Sequence, residues 1–178
     1  MKTGIITLIG YRGCGKSTVG PLVAARLGWE CVDSDDVIEA QAGRSISDIF
    51  AADGEAEFRR LEAQVLQQLT TRASLVIAAG GGAILAEENR SVLKAAGPVI
   101  WLEASVGTLA ARIRGDQSSA ARRPSLTGKS VEQEVEEVLA ARHDLYAAAA
   151  GHRICVDEAT PEEIAATVVA LLPQESAS

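Results

Sequence analysis

Three stretches, Ile5-Ile6-Thr7-Leu8-Ile9, Leu75-Val76-Ile77-Ala78-Ala79 and Val99-Ile100-Trp101-Leu102, are short and almost wholly apolar. That is the pattern of parallel strands buried on both faces. Between them, apolar residues recur at helical spacing: Val19, Leu22, Val23 and Leu27, then Phe58, Leu61, Val65, Leu66 and Leu69, then Val106, Leu109, Ala110 and Ile113. Val131, Val135, Val138, Leu139 and Leu145 predict one further helix, and Ile164, Val168, Leu171 and Leu172 another. Trp29-Glu30-Cys31-Val32 and Arg153-Ile154-Cys155-Val156-Asp157 are shorter candidate strands. The alternation of strand and helix throughout predicts an α/β domain, a parallel sheet covered by helices, and no internal repeat interrupts it.

The polar positions between these runs mark where elements begin and end. Gly28 and Gly43 are helix stops, Asp53-Gly54 is a break, and Ser34 is available as an N-cap before Val37 and Ile38. Ser45 with Asp48, Ser130 with Gln133 and Thr160-Pro161-Glu162-Glu163 have the spacing of capping boxes. From Gly115 to Ser125 periodicity disappears into small, polar and basic residues, which predicts a mobile surface loop with Arg122 and Arg123 at its far end. Thr127-Gly128-Lys129-Ser130 resembles the tail of a phosphate loop, but Arg123 stands where its first glycine should be, so it is read as a helix start.

The chemistry is concentrated where the first strand meets the first helix. Gly10-Tyr11-Arg12-Gly13-Cys14-Gly15-Lys16-Ser17-Thr18 fits G-x-x-x-x-G-K-[ST] in full, and it lies between a strand and a helix as that motif requires. Glycines let successive backbone N–H groups converge on a phosphate, and the helix N-terminus adds partial positive charge. Lys16 is placed to reach the outer phosphates and the Ser17 hydroxyl to hold Mg²⁺. Many phosphate-loop proteins carry a metal-linked aspartate at the end of a neighbouring strand. Here that strand ends in Gly80-Gly81-Gly82, so the metal-linked acid is assigned to Asp33, in Asp33-Ser34-Asp35-Asp36 after the second strand. Acids at a carboxyl strand end stand where open α/β sheets bind ligands, although plain helix capping would also explain them. The triple glycine can offer N–H groups to a small polar ligand, or simply permit close packing.

Composition narrows the field. The 178 residues suffice for one domain, 47% are hydrophobic, and the net charge of −7 argues against a general nucleic-acid binder. An anionic ligand must then be met by local arginines. Arg142 falls inside an apolar helical stripe, where it must either reach outward to water or meet an anion in a cleft. Arg59 and Glu62 lie one helical turn apart, which by itself is the spacing of an ordinary surface pair. Arg112 and Arg114 close a helix ahead of the polar loop. Three cysteines, Cys14, Cys31 and Cys155, suggest a reducing cytosol without a disulfide frame, and no run is long enough to span a membrane. His143 and His152 show no partner spacing and receive no role. Guanidinium groups suit carboxylates and phosphates, so the set suggests transfer of the ATP γ-phosphoryl group to a small hydroxylated acid.

Taken in order, Gly10 to Ser17, Asp33-Ser34-Asp35, Gly43-Arg44-Ser45-Ile46, Phe58-Arg59-Arg60-Leu61-Glu62, Gly80-Gly81-Gly82 and Arg123-Pro124 resemble the shikimate kinase family over nearly the whole chain. The resemblance implies a three-layer α/β/α fold of the nucleoside-monophosphate-kinase type: one domain over 1–178, a five-stranded parallel sheet, a substrate-binding segment at about 34–62 and a lid at about 113–126. It implies a cytoplasmic, monomeric enzyme that phosphorylates the shikimate 3-hydroxyl with ATP and Mg²⁺, giving shikimate 3-phosphate and ADP for chorismate and aromatic amino-acid biosynthesis. Neither nucleic acid nor membrane is expected as a partner.

By that resemblance Asp35 holds the accepting hydroxyl and acts as base. Arg59 and Arg142 grip the carboxylate, with Gly80, Gly81 and Gly82 lining its site. Gly13, Cys14, Gly15, Lys16, Ser17 and Thr18 hold the nucleotide, Arg112 stacks near adenine beside Asp157 to Pro161, and Ser17 with Asp33 serves the metal. Arg123 closes from the lid, and it is preferred to Arg122 because it directly precedes Pro124. The lid departs from the family pattern: Ser125-Leu126 follows where Arg-Pro-Leu-Leu is common, and the stretch before Arg122 is lengthened. The alternative is a gluconate kinase or another phosphate-loop small-molecule kinase. A GTP-binding switch is disfavoured because no Asn-Lys-x-Asp or Thr-Lys-x-Asp segment occurs.

Overall fold

In a computed structural model that describes residues 4–116 and 129–172, the apolar runs form one sheet. Its strands are β1 (Ile5–Ile9), β2 (Glu30–Asp33), β3 (Leu75–Ala78), β4 (Val99–Glu103) and β5 (His152–Cys155). All pair in parallel, in the order β2-β3-β1-β4-β5. The helices are α1 (Lys16–Leu27), α2 (Ser34–Ala42), α3 (Ile46–Leu69), α4 (Glu87–Ala96), α5 (Val106–Gly115), α6 (Val131–Ala149) and α7 (Pro161–Ala170).

Side chains alternate across a strand, so one apolar run feeds two cores. Ile5 and Ile9 face a core with Phe58, Val65, Leu66 and Tyr146, supplied by α2, α3, α4 and the end of α6. Ile6 and Leu8 face another with Val19, Val23, Ile113 and Val168, supplied by α1, α5, α7 and the start of α6. The result is the three-layer α/β/α arrangement, with all five residues of β1 buried at its centre. No helix among the described residues is long and apolar enough to cross a membrane.

The helix boundaries follow local chemistry. Gly28 and Gly43 adopt left-handed backbone at the ends of α1 and α2, and Ser130 and Thr160 make the capping boxes of α6 and α7. Ser45 caps α3 through the Asp48 N–H, and the Asp53-Gly54 break is a bend inside α3, with Gly54 at φ 82° and ψ 176°. At α2 two neighbouring residues could have capped the helix. Asp33, not Ser34, caps α2, accepting the Asp35 N–H at 2.9 Å. A carboxylate one position earlier already satisfies the first turn, which releases the Ser34 hydroxyl for a longer-range bond. Arg122, Arg123 and the remainder of the expected lid after Asp116 lie outside the described residues up to 128.

Candidate active site

The carboxyl ends of β1, β2 and β3 open on a cavity of about 510 Å³. Order reversal around β1 explains its place, because the connections from β1 and β3 leave to opposite sides and a crevice forms between them. One wall is the phosphate loop. Gly10 has φ 146°, and a Cβ there would stand 2.5 Å from the Leu102 carbonyl and 2.7 Å from Cys14 Sγ. Gly15 caps α1 in left-handed conformation without a side-chain bond, which leaves the Lys16 and Ser17 N–H groups for an anion, while that of Thr18 donates to the Gly15 carbonyl at 3.1 Å. Cys14 is buried as the filler of this tight loop, and Lys16 Nζ donates back to the carbonyls of Gly10 (2.6 Å) and Tyr11 (3.1 Å).

The second wall is the start of α2. Asp33 Oδ2 accepts from the Ser17 hydroxyl at 2.9 Å while Oδ1 holds the Asp35 N–H, so one carboxylate ties the phosphate loop to the helix that carries Asp35. Ser17 and Asp33 are hard oxygen donors, and together they offer a single carboxylate. That suits Mg²⁺, which keeps several waters and takes further oxygens from phosphate. Among the described residues no cluster of three or more acid, His or Cys side chains builds a closed metal cage.

The third wall is the turn after β3. Gly80 lies directly against Asp35, since a Cβ on it would be 2.5 Å from Oδ1. Of the three N–H groups expected to face a ligand, that of Gly80 instead donates to the buried Ser34 hydroxyl at 2.9 Å. Gly82 lies against Arg59, whose Nη1 and Nη2 would be 2.5 and 2.7 Å from a Cβ there. Arg59 in turn bonds Glu62 at 2.8 Å, and Glu62 is fully buried. The pair read from spacing alone as a surface contact is therefore half in the core: Glu62 is buried, and Arg59, partly exposed and also paired with Glu55 at the surface, is the charge that keeps it from standing alone there. Arg142 Nη1 donates to the Gly81 carbonyl at 3.2 Å. Gly80 and Gly81 line the cavity itself; Arg59, Gly82 and Arg142 stand around the same turn, just beyond those walls.

At the opposite end Arg112 donates to the Gly13 carbonyl at 3.1 Å and lines the cavity with Ala159 and Pro161. Asp157 fixes this end by accepting the Ser105 N–H at 2.9 Å, at the cap of α5. That backbone bond, assisted by Thr108, holds the Asp157 carboxyl below the usual range. Thr18 lines the cavity from the first turn of α1.

Sequence reading missed three contributors: Ser34 as a brace, Glu62 as a buried partner, and Tyr146, which bonds the Gly81 carbonyl at 2.7 Å. Tyr146 follows Leu145, the last position read into the apolar stripe of α6, and nothing local shows where its hydroxyl goes.

A family model described as shikimate kinase matches residues 12–173. The chain belongs to the shikimate kinase family. A shikimate kinase of Rhodopirellula baltica is 46% identical over 173 residues, which span 97% of this chain and 92% of that protein. The structure of a shikimate kinase from Acinetobacter baumannii in complex with shikimate superposes with a TM-score of 0.87 at 37% identity, covering 94% of this chain and 92% of that one. A gluconokinase from Sinorhizobium meliloti reaches a TM-score of 0.53 at 20% identity, covering 94% of this chain and 90% of that one, and so shares the fold alone. Shikimate kinase membership thus sets the gluconate alternative aside.

Proposed function

We propose that the chain transfers the γ-phosphoryl group of ATP to the 3-hydroxyl of shikimate, with the residues of the cavity in the roles their positions suggest. The observation that carries this reading is that one cavity joins Lys16 and the open first turn of α1 to Asp35 and the glycine turn. A phosphate donor and a hydroxyl acceptor can therefore meet in line.

Adenine lies between Arg112 and Pro161, and the phosphates follow the N–H groups from Gly13 to Thr18. Lys16 leaves the carbonyls of Gly10 and Tyr11 for the phosphate oxygens, offsetting charge where it grows during transfer. Ser17 and Asp33 would hold Mg²⁺, which would neutralise phosphate charge. Asp35 accepts the proton of the 3-hydroxyl as the new O–P bond forms and the bond to the β–γ bridging oxygen breaks, releasing ADP. Arg59 and Arg142 receive the shikimate carboxylate at the glycine turn, each with a planar fork of donors. Arg123 is assigned the closing contact on the phosphates from the resemblance of Arg123-Pro124, with the lid at about 113–126 and the substrate-binding segment at about 34–62.

Lys16, Asp35 and Arg112 line one cavity within one chain, which supports the reading of a monomeric enzyme. The three free thiols suit a cytoplasmic setting, and neither nucleic acid nor membrane enters the scheme. The test is ADP release with ATP and Mg²⁺ against shikimate, gluconate and AMP. Turnover that depends on shikimate is expected; its absence overturns the reading.

A further inference from the structure

The Gly80–Gly82 turn has little stiffness of its own, because glycine backbones are the least restrained. Two of its carbonyls are tied within the turn: Gly80 accepts the Ala83 N–H at 3.0 Å and Gly82 the Leu85 N–H at 3.1 Å. The carbonyl between them is treated differently. Among the described residues the donors to the Gly81 carbonyl are side chains of α6, Tyr146 Oη at 2.7 Å and Arg142 Nη1 at 3.2 Å. The Gly81–Gly82 peptide is planar, so fixing its oxygen also fixes the Gly82 N–H and the direction in which Gly82 leaves. Gly82 in turn abuts the Arg59 guanidinium. One peptide plane therefore lies between the two arginines that flank the turn, and its orientation is set from α6.

Tyr146 is built to supply a fixed donor. It has no exposed surface, and its ring stacks on Trp101 with centroids 5.4 Å apart and planes 18° from parallel. Burial pushes the phenol well above its usual pKa, so the hydroxyl keeps its proton at any working pH. Arg142 is one turn away on the same helix and only partly buried. A long side chain of that kind reaches its target in a single arrangement only when something else fixes the target.

We infer that Tyr146 is a positioning residue for recognition of the acceptor's carboxylate: its hydroxyl locks the Gly81–Gly82 peptide, and that plane aims Arg142 and Arg59. The inference rests on the shikimate kinase reading above, with the carboxylate at these two arginines. It assigns the core-facing hydroxyl of α6 a part in substrate affinity that burial alone would not give it.

The experiment is steady-state ADP release by the full chain with ATP and Mg²⁺, comparing wild type with two variants. Tyr146→Phe keeps the ring stack and removes only the oxygen. Replacement of Tyr146 by 4-aminophenylalanine keeps a donor at the ring's para position, and serves as the second variant where loss of the oxygen harms folding. Wild type must first show turnover that depends on shikimate; without it the kinase reading fails, and the inference fails with it. Given that turnover, Tyr146→Phe is expected to raise the shikimate KM about tenfold, as for the loss of one well-placed hydrogen bond, with the ATP KM unchanged. The 4-aminophenylalanine protein is expected to return the shikimate KM to within about threefold of wild type. A residue that merely supports the fold would move both KM values together or lower only the melting temperature. Equal shikimate KM values in wild type and Tyr146→Phe, or failure of the para-amino ring to restore affinity, overturn the inference.

Discussion

Alanine placed at each glycine of the turn after β3 should give three different kinetic signatures. None of the three glycines sits at positive φ, so the effect of a Cβ comes from what it strikes and not from backbone strain. At Gly82 the new atom would lie 2.5 Å from Arg59 Nη1, whereas ordinary contact begins near 3.4 Å. The guanidinium must retreat by about 1 Å, and misplacing a binding group by that distance costs roughly 100-fold. If Arg59 grips the carboxylate as proposed, it does so equally in the ground state and the transition state, so the loss should fall on the shikimate KM and spare kcat. In free energy it corresponds to about 2.7 kcal/mol. At Gly80 the Cβ would be 2.5 Å from Asp35 Oδ1, displacing the carboxylate proposed as the base, and kcat should fall by about 100-fold. At Gly81 the nearest atom is the Arg12 backbone nitrogen at 3.6 Å, an ordinary contact, and the change should stay below about tenfold. The assay is ADP release titrated separately in shikimate and ATP, with melting curves to confirm folding. If Gly81→Ala proves the most damaging, or all three variants lose kcat and KM in the same proportion, the assignment of Gly80 to the base and Gly82 to the carboxylate is wrong.

Three further outcomes are expected. Asp35→Asn should lose at least about 100-fold in kcat while calorimetric binding of Mg²⁺-ATP stays intact, and undiminished turnover would remove Asp35 as the base. Asp157→Ala should raise the ATP KM a few-fold without touching that of shikimate, since it frees the Ser105 N–H at the cap of α5; equal shifts in both would place its effect elsewhere. Because the folded-state pKa of Asp157 is depressed, the support it lends is present above the ordinary aspartate value of about 3.9 and is lost as pH falls below it. Burial first, and then the charges of Asp33 and Glu30, push the Cys31 thiol up to about 11. Cys31 therefore stays largely protonated and is only partly accessible, whereas Cys155 is exposed, so mass spectrometry after iodoacetamide should find Cys155 modified well before Cys31, and matching rates would contradict this.

How far the site could be read from sequence depended on how far each contact reaches along the chain. The phosphate loop and its flanking strand and helix are consecutive, so spacing alone placed Lys16 and Ser17. Arg142 announced itself by breaking an apolar stripe, and its bond to Gly81 gives a reason for the break. Asp33 and Ser34 were both open as caps of α2 because two residues in a row could have served; the choice was settled by the Gly80 N–H, 46 positions away, which takes the Ser34 hydroxyl. Glu62 looked like the surface partner of Arg59 because local spacing cannot express the burial that α3 acquires on the sheet. Tyr146 left no local sign, since its partner is 65 residues distant. Recognition of the family supplied roles for Arg59, Arg112 and Arg123 that periodicity alone could not assign.

The carboxylate of Asp33 has a thermodynamic consequence. Its two oxygens belong to one rigid plane, with Oδ2 on the Ser17 hydroxyl and Oδ1 on the Asp35 backbone. Any tilt imposed from the nucleotide's half is felt at once in the acceptor's half, with no domain movement required between them. Linkage makes such a connection symmetrical: whatever factor Mg²⁺-ATP contributes to shikimate affinity through that plane, shikimate returns to Mg²⁺-ATP. Where that factor differs from one, a single side chain is enough to let each substrate report the presence of the other.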